Sequence, residues 1–238
     1  MITEELFRED AMLAQCEARV VALGEGGVIL DRTVFYPLGG GQAGDTGVLR
    51  LADGREFAVT DTRKSKEHAG GVLHLLTPDA VLAVGDAVTA QIDVERRNAH
   101  RRFHTTTHLL CALVPHPVDG CSITATYARL DFHMSEPLDK EALTAGIARL
   151  VAEAHPVHHR WISEAELDAN PHLVRSMSAQ PPRGLGRVRV LEIEGVDLQP
   201  CGGTHVSNTH DIANVVVTKI ERKSAMTRRV VLGFAESA

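Results

Sequence analysis

The chain has 238 residues, enough for one large domain or two small ones. Hydrophobic residues make up 44% and aromatic residues 4%, so we expect a packed core built mainly from Leu, Val, Ile and Ala. No run approaches the ~18–20 apolar residues of a membrane span, and the acidic N-terminus lacks the apolar stretch of a signal peptide. We therefore expect a cytoplasmic protein without a membrane partner, with its four cysteines reduced.

The net charge of −6 argues against a strongly basic nucleic-acid-binding protein, but the charge is unevenly distributed. Residues 1–95 hold 8 Lys/Arg and 16 Asp/Glu, a net −8, whereas residues 96–238 hold 17 and 15, a net +2. The second part contains two basic clusters, at 96–102 and 219–229. Such clusters are either solvated faces or local patches that attract a phosphate backbone.

Residues 1–95 are rich in glycine and in short β-type runs. Strands are predicted at 18–23, 27–36, 46–63, 71–76 and 87–94, with a hairpin turn at Ala52-Asp53-Gly54. Strands this short and closely spaced indicate a small barrel or barrel-like sheet.

From Asp93 onward the pattern mixes helices and strands. Helices are predicted at 93–114, at 138–154 and, behind a capping Ser163, at 163–169. Strands are predicted at 122–134 and 157–162, as a pair at 187–200, and as a closing hairpin at 213–235. The predicted fold is α+β, with an N-terminal barrel-like domain at 1–94 and a two-layer α/β domain with an antiparallel sheet at 95–238.

Two short pairs supply metal-ligand chemistry. His104 and His108 are four residues apart, which on a helix places both imidazoles on one face. Cys201 and His205 are separated by Gly202-Gly203-Thr204, and the glycines allow a tight turn. Each pair alone is weak, because the chain has 13 histidines. Together they supply three imidazoles and one thiolate, a set that suits Zn²⁺ and that, with four protein ligands, is also compatible with a structural site.

The segments RRFHTTTHLLCAL, RLDF and QPCGGTHVSNT, in this order, resemble the editing domain of alanyl-tRNA synthetases and its free-standing AlaX relatives. A related domain edits in threonyl-tRNA synthetases. The stretch FYPLGGGQAGDTG at 35–47 is similar to the glycine-rich motif of the longer AlaX form. The resemblance covers nearly the whole chain and leaves no room for an aminoacylation domain, which favours the free-standing type.

This resemblance implies a trans-acting hydrolase that deacylates tRNA(Ala) misacylated with serine, and often glycine, while sparing the alanyl ester. It implies zinc ligands at His104, His108, Cys201 and His205, within a deacylase domain at 95–238. Thr107 matches the family threonine that recognises the serine hydroxyl. The predicted catalytic residues are Thr107, Gln42 and Asp45, and the predicted substrate-binding residues are Gly39, Gly40, Gly41, Arg222 and Lys223.

Alternatives stay open for several of these residues. Thr107 can also be explained as a helical threonine bonded to its own backbone. The glycine loop can be a tight turn without a ligand, but three consecutive glycines cost entropy, so close approach to the substrate or to the Cys201–His205 loop is the better account. Asp131 and Arg129 alternate on one strand face, where an internal ion pair is as plausible as a catalytic role. Two segments depart from the family pattern, namely 170–182 and His210-Asp211 after the second motif. The segment at 170–182 is a candidate lid.

Two other function classes compete with editing. One is a zinc hydrolase of a small ester or amide without an RNA partner, and the other is a non-catalytic tRNA-binding module with structural zinc. The basic residues at 219–229 favour RNA weakly. Thr107 and the glycine loop favour a shaped catalytic pocket. Both a monomer and a homodimer fit the sequence.

Overall fold

The computed structural model describes residues 2–177, 180–181 and 183–235. By its internal contacts the chain divides into two units, Met1–Gly39 with Ala43–Asn98, and Gly40–Gln42 with Ala99–Ala238. The predicted α+β fold with an N-terminal barrel is confirmed. The assignment of deacylation to residues 95–238 stays a prediction. Within the described residues, no helix is both long enough and apolar enough to cross a membrane.

The first unit contains eight strands, namely β1 (Glu4–Glu5), β2 (Gln15–Gly24), β3 (Gly27–Leu30), β4 (Arg32–Thr33), β5 (Gly47–Leu51), β6 (Glu56–Lys64), β7 (Val72–Leu76) and β8 (Ala87–Ile92). Six of them form a closed antiparallel barrel with strand order β2-β3-β7-β6-β5-β8, and β1 and β4 form a short parallel pair. Closure removes the free sheet edges.

Alternating apolar residues fill the barrel. Val88, Ala90 and Ile92 of β8 are buried at every second position, as the two-residue period of a strand requires. The predicted strand at 27–36 is interrupted at Asp31, because its carboxylate accepts hydrogen bonds from the backbone N–H of Arg19 (2.8 Å) and of Arg32 (2.9 Å). In the structure β3 ends at Leu30 and β4 begins at Arg32, so the predicted strand is two separate strands.

The second unit continues the helix α1 (Val94–Leu113), which begins before the unit boundary. Asp93 caps this helix, since its carboxylate accepts from the backbone N–H of Arg96 at 3.0 Å. The remaining elements are β9 (Val118–Ile123), β10 (Ala128–His133), α2 (Lys140–Ala152), β11 (Val157–Ser163), α3 (Glu164–Ala169), β12 (Arg187–Ile193), β13 (Asp197–Pro200), β14 (Val215–Ser224) and β15 (Thr227–Phe234).

The core of the second unit lies between helices and an antiparallel sheet with strand order β14-β15-β10-β9. Leu109 and Leu110 of α1 and Ile147 of α2 pack in one cluster with Leu130 and Phe132 of β10. A second sheet, of order β11-β12-β13, carries α3, whose predicted cap Ser163 accepts from the backbone N–H of Glu166. The sheet β11-β12-β13 ends at the loop that holds Cys201.

The structure corrects two details. The segment predicted as one strand at 122–134 contains the end of β9, a turn and then β10. The turn is closed by Thr124, whose backbone N–H and hydroxyl both donate to the carbonyl of Tyr127, and by the backbone N–H of Tyr127, which donates to the Thr124 hydroxyl. The basic cluster at 96–102 is not a solvated face, since Arg97 and Arg101 are buried and Arg96 and Arg102 are half-buried. Of the candidate lid at 170–182, residues 178–179 and 182 lie outside the described part.

Candidate metal centre

Helix α1 presents His104 and His108 one turn apart. Their ring centroids lie 5.6 Å apart and the rings are nearly parallel, with an interplanar angle of 28°. Both histidines are buried in the second unit. The spacing of four residues therefore brings two imidazoles to one side of the helix, as the sequence predicts.

The loop after β13 presents Cys201 and His205. Arg189 of β12 holds this loop, since its guanidinium donates to the carbonyl oxygens of Cys201 (2.9 Å) and Gly203 (3.3 Å). A Cβ atom at Gly203 would lie 2.1 Å from Cε1 of His104. The loop can therefore approach α1 this closely only with glycine at this position.

The four predicted ligands lie together, with all their donor atoms within 4.8 Å of one another. The Sγ of Cys201 lies 3.5 Å from Nε2 of His104 and 3.2 Å from Nε2 of His205. A tetrahedral ion with usual zinc–ligand distances separates sulfur from nitrogen by about 3.5 Å. The two sulfur–nitrogen distances are close to this separation, so Cys201, His104 and His205 are spaced as ligands of one metal ion would be.

Each histidine directs Nε2 toward the cluster, because Nδ1 is engaged elsewhere. Nδ1 of His104 lies 2.8 Å from Oε1 of Gln42, and Nδ1 of His108 lies 2.8 Å from Oδ2 of Asp197. Nδ1 of His205 lies 3.4 Å from Oγ1 of Thr105. An amide oxygen and a carboxylate accept hydrogen bonds, so they favour the tautomer with the proton on Nδ1 and the lone pair on Nε2.

The electrostatics of the cluster favour a thiolate. Burial by itself raises the pKa of Cys201, but the nearby His104 and His205 outweigh it and hold that pKa well below its ordinary value. Burial lowers the pKa of His108, but the hydrogen bonds to Asp197 and Cys201 outweigh it and raise that pKa to about 10. A metal ion that binds Nε2 of His108 must therefore displace a proton from that nitrogen. A thiolate is the form in which cysteine binds metals.

Gln42 is joined to this cluster within the second unit. Its side chain is fully buried; its Oε1 lies 2.8 Å from Nδ1 of His104 and also accepts from the backbone N–H of Thr204 at 3.1 Å, while Nε2 donates to the Thr204 hydroxyl at 2.9 Å. Beside it, Gly41 has φ +86°, and a Cβ there would lie 3.0–3.1 Å from Cys121. Gly41 also accepts from the backbone N–H of Ile123 at 2.8 Å.

Asp45 and Gly39 belong to the first unit. The Asp45 carboxylate is completely buried, is paired with Arg97, and accepts from the backbone N–H of Tyr36 at 2.7 Å. Gly39 accepts from the Tyr36 hydroxyl at 2.9 Å. Both residues therefore contact Tyr36, and Asp45 also contacts Arg97, all within the first unit.

The remaining predicted residues lie on α1 and β14. Thr107 is buried, and its hydroxyl donates to the carbonyl of His104 at 2.7 Å. Arg222 and Lys223 are exposed near the end of β14. Asp131 forms ion pairs with Arg129 at 2.7 Å and with Arg229 at 2.7 Å. The ion-pair alternative for Asp131 is therefore observed.

Several residues that support the cluster were not predicted, namely Thr105, Arg189, Asp197, Gln199 and Thr204. The available signal was the alternation Asp197-x-Gln199-x-Cys201, which places three polar side chains on one face of an extended segment. Thr105, Asp197 and Thr204 lie 89 to 162 positions from the residues that they contact, so short motifs do not detect them.

Two protein families match parts of the chain. Residues 188–231 match the threonyl and alanyl tRNA synthetase second additional domain, and residues 6–96 match the class II (A) tRNA synthetases. The first match includes Cys201 and His205 and the second covers most of the barrel unit. The class of protein that these matches indicate is one related to the tRNA synthetases over these two ranges.

Full-length relatives refine this class. The alanyl-tRNA editing protein AlaX-M of Methanosarcina mazei is 33% identical over 251 aligned positions, covering 100% of this chain and 98% of that protein. AlaX-M of Methanosarcina barkeri is 35% identical, covering 96% and 98%. The alanine–tRNA ligase of Pyrococcus furiosus is 32% identical over 99% of this chain but 26% of its own length. The chain belongs to the AlaX-M family of alanyl-tRNA editing proteins.

Proposed function

We propose that this protein is a trans-editing aminoacyl-tRNA hydrolase whose substrate is tRNA(Ala) misacylated with serine, and also with glycine. The observation that carries the proposal is the cluster of His104, His108, Cys201 and His205 in a chain that matches alanyl-tRNA editing proteins along their length. An aminoacyl ester is activated, so its hydrolysis needs mainly positioning of the ester and stabilisation of developing charge.

The metal of this proposal is Zn²⁺. Three imidazoles and one thiolate form a borderline-soft ligand set that suits zinc better than magnesium or calcium. When bound at such a site, zinc supplies a Lewis acid that polarises the ester carbonyl or anchors the substrate amino group. The chain's own contribution is to orient the three rings by hydrogen bonds at Nδ1 and to supply the thiolate of Cys201.

Thr107 is the proposed determinant of serine over alanine. Its hydroxyl hydrogen is donated to the carbonyl of His104, which leaves the oxygen lone pairs free to accept. A serine hydroxyl would donate to this oxygen, whereas an alanine methyl group cannot. A pocket built around such a hydrogen bond discriminates strongly in this direction.

Gln42 and the adjoining Gly40 and Gly41 are proposed to shape the site. The amide of Gln42 bonds to both His104 and Thr204, so its proposed contribution is positional. The carboxylate of Asp45 is occupied by Arg97 and by the Tyr36 backbone, which supports a structural contribution rather than proton transfer. Gly39 contributes its carbonyl to the same stretch.

Arg222 and Lys223 are proposed to contact the tRNA backbone. Both side chains are exposed, and the neighbouring Lys219 is exposed as well, although it pairs with Glu221 at 2.6 Å. Exposed cations are suited to phosphate contacts that position an RNA without reading its sequence.

Deacylation assays test the proposal directly. Purified protein would be incubated with tRNA(Ala) carrying radiolabelled serine, glycine or alanine, before and after chelator treatment. We expect release of serine and glycine, little release of alanine, and loss of activity in Cys201→Ala. Cys16→Ala, in the barrel, is the matched control. If the zinc-loaded protein is inert toward all three esters, the editing proposal is wrong.

Substitution of Thr107 tests the specificity. Thr107→Val keeps the shape of the side chain, so zinc content should be unchanged while the serine-to-alanine preference falls about 10- to 100-fold. Thr106→Val is the control, because the Thr106 hydroxyl also donates to a backbone carbonyl of α1, that of Arg102. Equal preferences in the two variants would contradict the role of Thr107.

A further inference from the structure

Asp197 is a buried carboxylate beside the metal centre. Its side chain is 1% exposed and that of its partner His108 is 8% exposed. Burial of a carboxylate is costly unless its charge is compensated by partners. Among the described residues, no lysine or arginine forms an ion pair with Asp197, so its compensation comes from other donors.

Two side chains supply these donors. Nδ1 of His108 lies 2.8 Å from Oδ2 of Asp197. Nε2 of Gln199 donates to both carboxylate oxygens, at 3.0 and 2.8 Å. Gln199 therefore fixes the orientation of the carboxylate, and the carboxylate in turn fixes the orientation of the His108 ring.

The local structure explains why these residues meet. Asp197 and Gln199 are the buried positions of strand β13, whose residues alternate between buried and half-buried. Side chains two apart on a strand share a face. The same face leads to Cys201 and packs toward α1, where His108 lies.

The three ligand histidines differ in the groups that hold them. Gln42 offers a neutral amide oxygen to His104, and Thr105 offers a hydroxyl to His205 at the longer distance of 3.4 Å. Asp197 alone among these three partners carries a charge. A carboxylate on the far nitrogen of a ligand imidazole orients the ring and makes it a stronger donor.

We propose that Asp197, held by Gln199, is a positioning residue of the metal centre that fixes the tautomer and the ring orientation of His108. The inference rests on the proposed zinc site and deepens it. It predicts that the metal affinity depends on Asp197 although Asp197 is not itself a ligand. Removal of such a partner typically costs about 10- to 100-fold in metal affinity.

Zinc titration of the purified full chain against a competing fluorescent chelator tests this inference without tRNA. We expect Asp197→Ala and Asp197→Leu to lower zinc affinity about 10- to 100-fold. Asp197→Asn should lose less, because its amide oxygen can still accept from Nδ1 of His108 once the Gln199 amide turns over. Leucine fills the space of Asp197, so a residue needed only for packing would be replaced by leucine without loss.

Asp119→Ala is the matched control. Asp119 pairs with His133 at 3.2 Å in the same unit, where both side chains are partly exposed and neither belongs to the cluster. Its removal should leave zinc affinity unchanged. Substituted cobalt provides a second measurement, since a misoriented His108 changes the visible absorption of the bound ion while the Cys201 thiolate is retained.

The outcomes separate the two proposals. Zinc affinities of Asp197→Ala and Asp197→Leu within about threefold of the parent protein would overturn the positioning role. Lowered affinity in these variants, with a parent protein that binds zinc but releases no amino acid from tRNA, would support the positioning role and refute the hydrolase proposal. Should Asp197→Ala fail to fold, Asp197→Leu and Gln199→Leu carry the same test.

Discussion

At the scale of single residues, the candidate metal centre depends on a close approach between a loop and a helix side chain. The backbone at Gly203 approaches His104 so closely that a Cβ would lie 2.1 Å from Cε1 and 2.4 Å from Nδ1 of the ring. Gly203 also gives its carbonyl to Arg189 at 3.3 Å, which limits how far the loop can retreat. The loop and the ring therefore constrain each other.

Gly203→Ala should displace His104 and reduce metal binding. The added methyl group overlaps the imidazole, and relief by movement of the ring breaks its 2.8 Å contact with Gln42. We expect at least about a tenfold loss in zinc affinity and a destabilisation of about 1–3 kcal/mol, measured by chelator competition and urea unfolding. Gly120→Ala is the control, because the nearest atom to its new Cβ is 3.5 Å away. Unchanged zinc binding in Gly203→Ala would contradict this account.

The buried ion pair of Asp45 and Arg97 allows the effect of Asp45 on stability to be distinguished from an effect on catalysis. Removing one partner of a buried ion pair costs about 3–5 kcal/mol, whereas replacing both with apolar residues is often neutral. Asp45→Leu should therefore destabilise the barrel unit, and Asp45→Leu with Arg97→Met should recover much of the loss.

Activity of the double variant then decides the role of Asp45. If the carboxylate acts structurally, recovery of stability should be accompanied by recovery of deacylation. If the double variant is stable by urea unfolding but inactive toward seryl-tRNA(Ala), Asp45 participates in the chemistry as the sequence first suggested.

At the scale of elements, hydrophobic periodicity predicts single strands and helices but not the contacts between distant ones. The alternation of β8 and the spacing of Leu143, Ile147 and Leu150 in α2 were visible in the sequence, because each reports burial against one neighbouring layer. The ligand pairs were visible as well, because each is local. The contact of His108 with Asp197 joins residues 89 positions apart. Neither segment contains a pattern that predicts how helix α1 and strand β13 pack against each other.

A second element-scale feature, also invisible in the sequence, is His74 of β7 inside the barrel. Its Nε2 lies 2.7 Å from the Thr33 hydroxyl and its Nδ1 lies 3.3 Å from the carbonyl of Val28. Burial lowers the pKa of His74 from 6.5 to about 4. In the folded barrel this histidine is therefore neutral at pH values where the unfolded chain is already protonated.

This difference predicts an acid-sensitive barrel. The stability that His74 contributes is present above pH 6.5 and is lost as the pH falls toward 4, because the unfolded state then binds a proton that the folded state does not. The slope is about 1.4 kcal/mol per pH unit. Hydrogen exchange of the β3 and β7 amides between pH 4 and 7 would measure it.

His74→Gln removes the titrating group while it keeps polar atoms near Thr33 and Val28, so it should flatten this pH dependence. Fluorescence of Trp161, on β11 in the second unit, reports the other part of the chain as an internal control. A pH dependence that is equally steep in the variant would assign the effect to other groups.

At the scale of the whole molecule, the charge distribution determines which residues can contact the phosphates of an RNA partner. A net charge of −6 opposes a polyanion, so binding must rely on local cations. In the cluster at 219–229, Arg228 is buried and Arg229 pairs with Asp131, which leaves Arg222 and Lys223 exposed for other contacts. The sequence shows the cluster, but only the fold separates the structural arginines from the exposed cations.

The salt dependence of tRNA binding should therefore change when these cations are removed. Each lost phosphate contact reduces the slope of log affinity against log salt by about 0.7–0.9. For Arg222→Ala with Lys223→Ala we expect a slope lower by about 1.4–1.8, a raised KM for seryl-tRNA(Ala) and an unchanged kcat, measured across a potassium chloride series. Lys64→Ala with Lys66→Ala removes two exposed cations from the barrel unit and should leave the slope unaltered. If the Lys64→Ala with Lys66→Ala variant lowers the slope and the Arg222→Ala with Lys223→Ala variant does not, the RNA contacts the barrel unit instead. The slope distinguishes these sites because it depends on the number of cations that contact phosphates, not on the total positive charge of the protein.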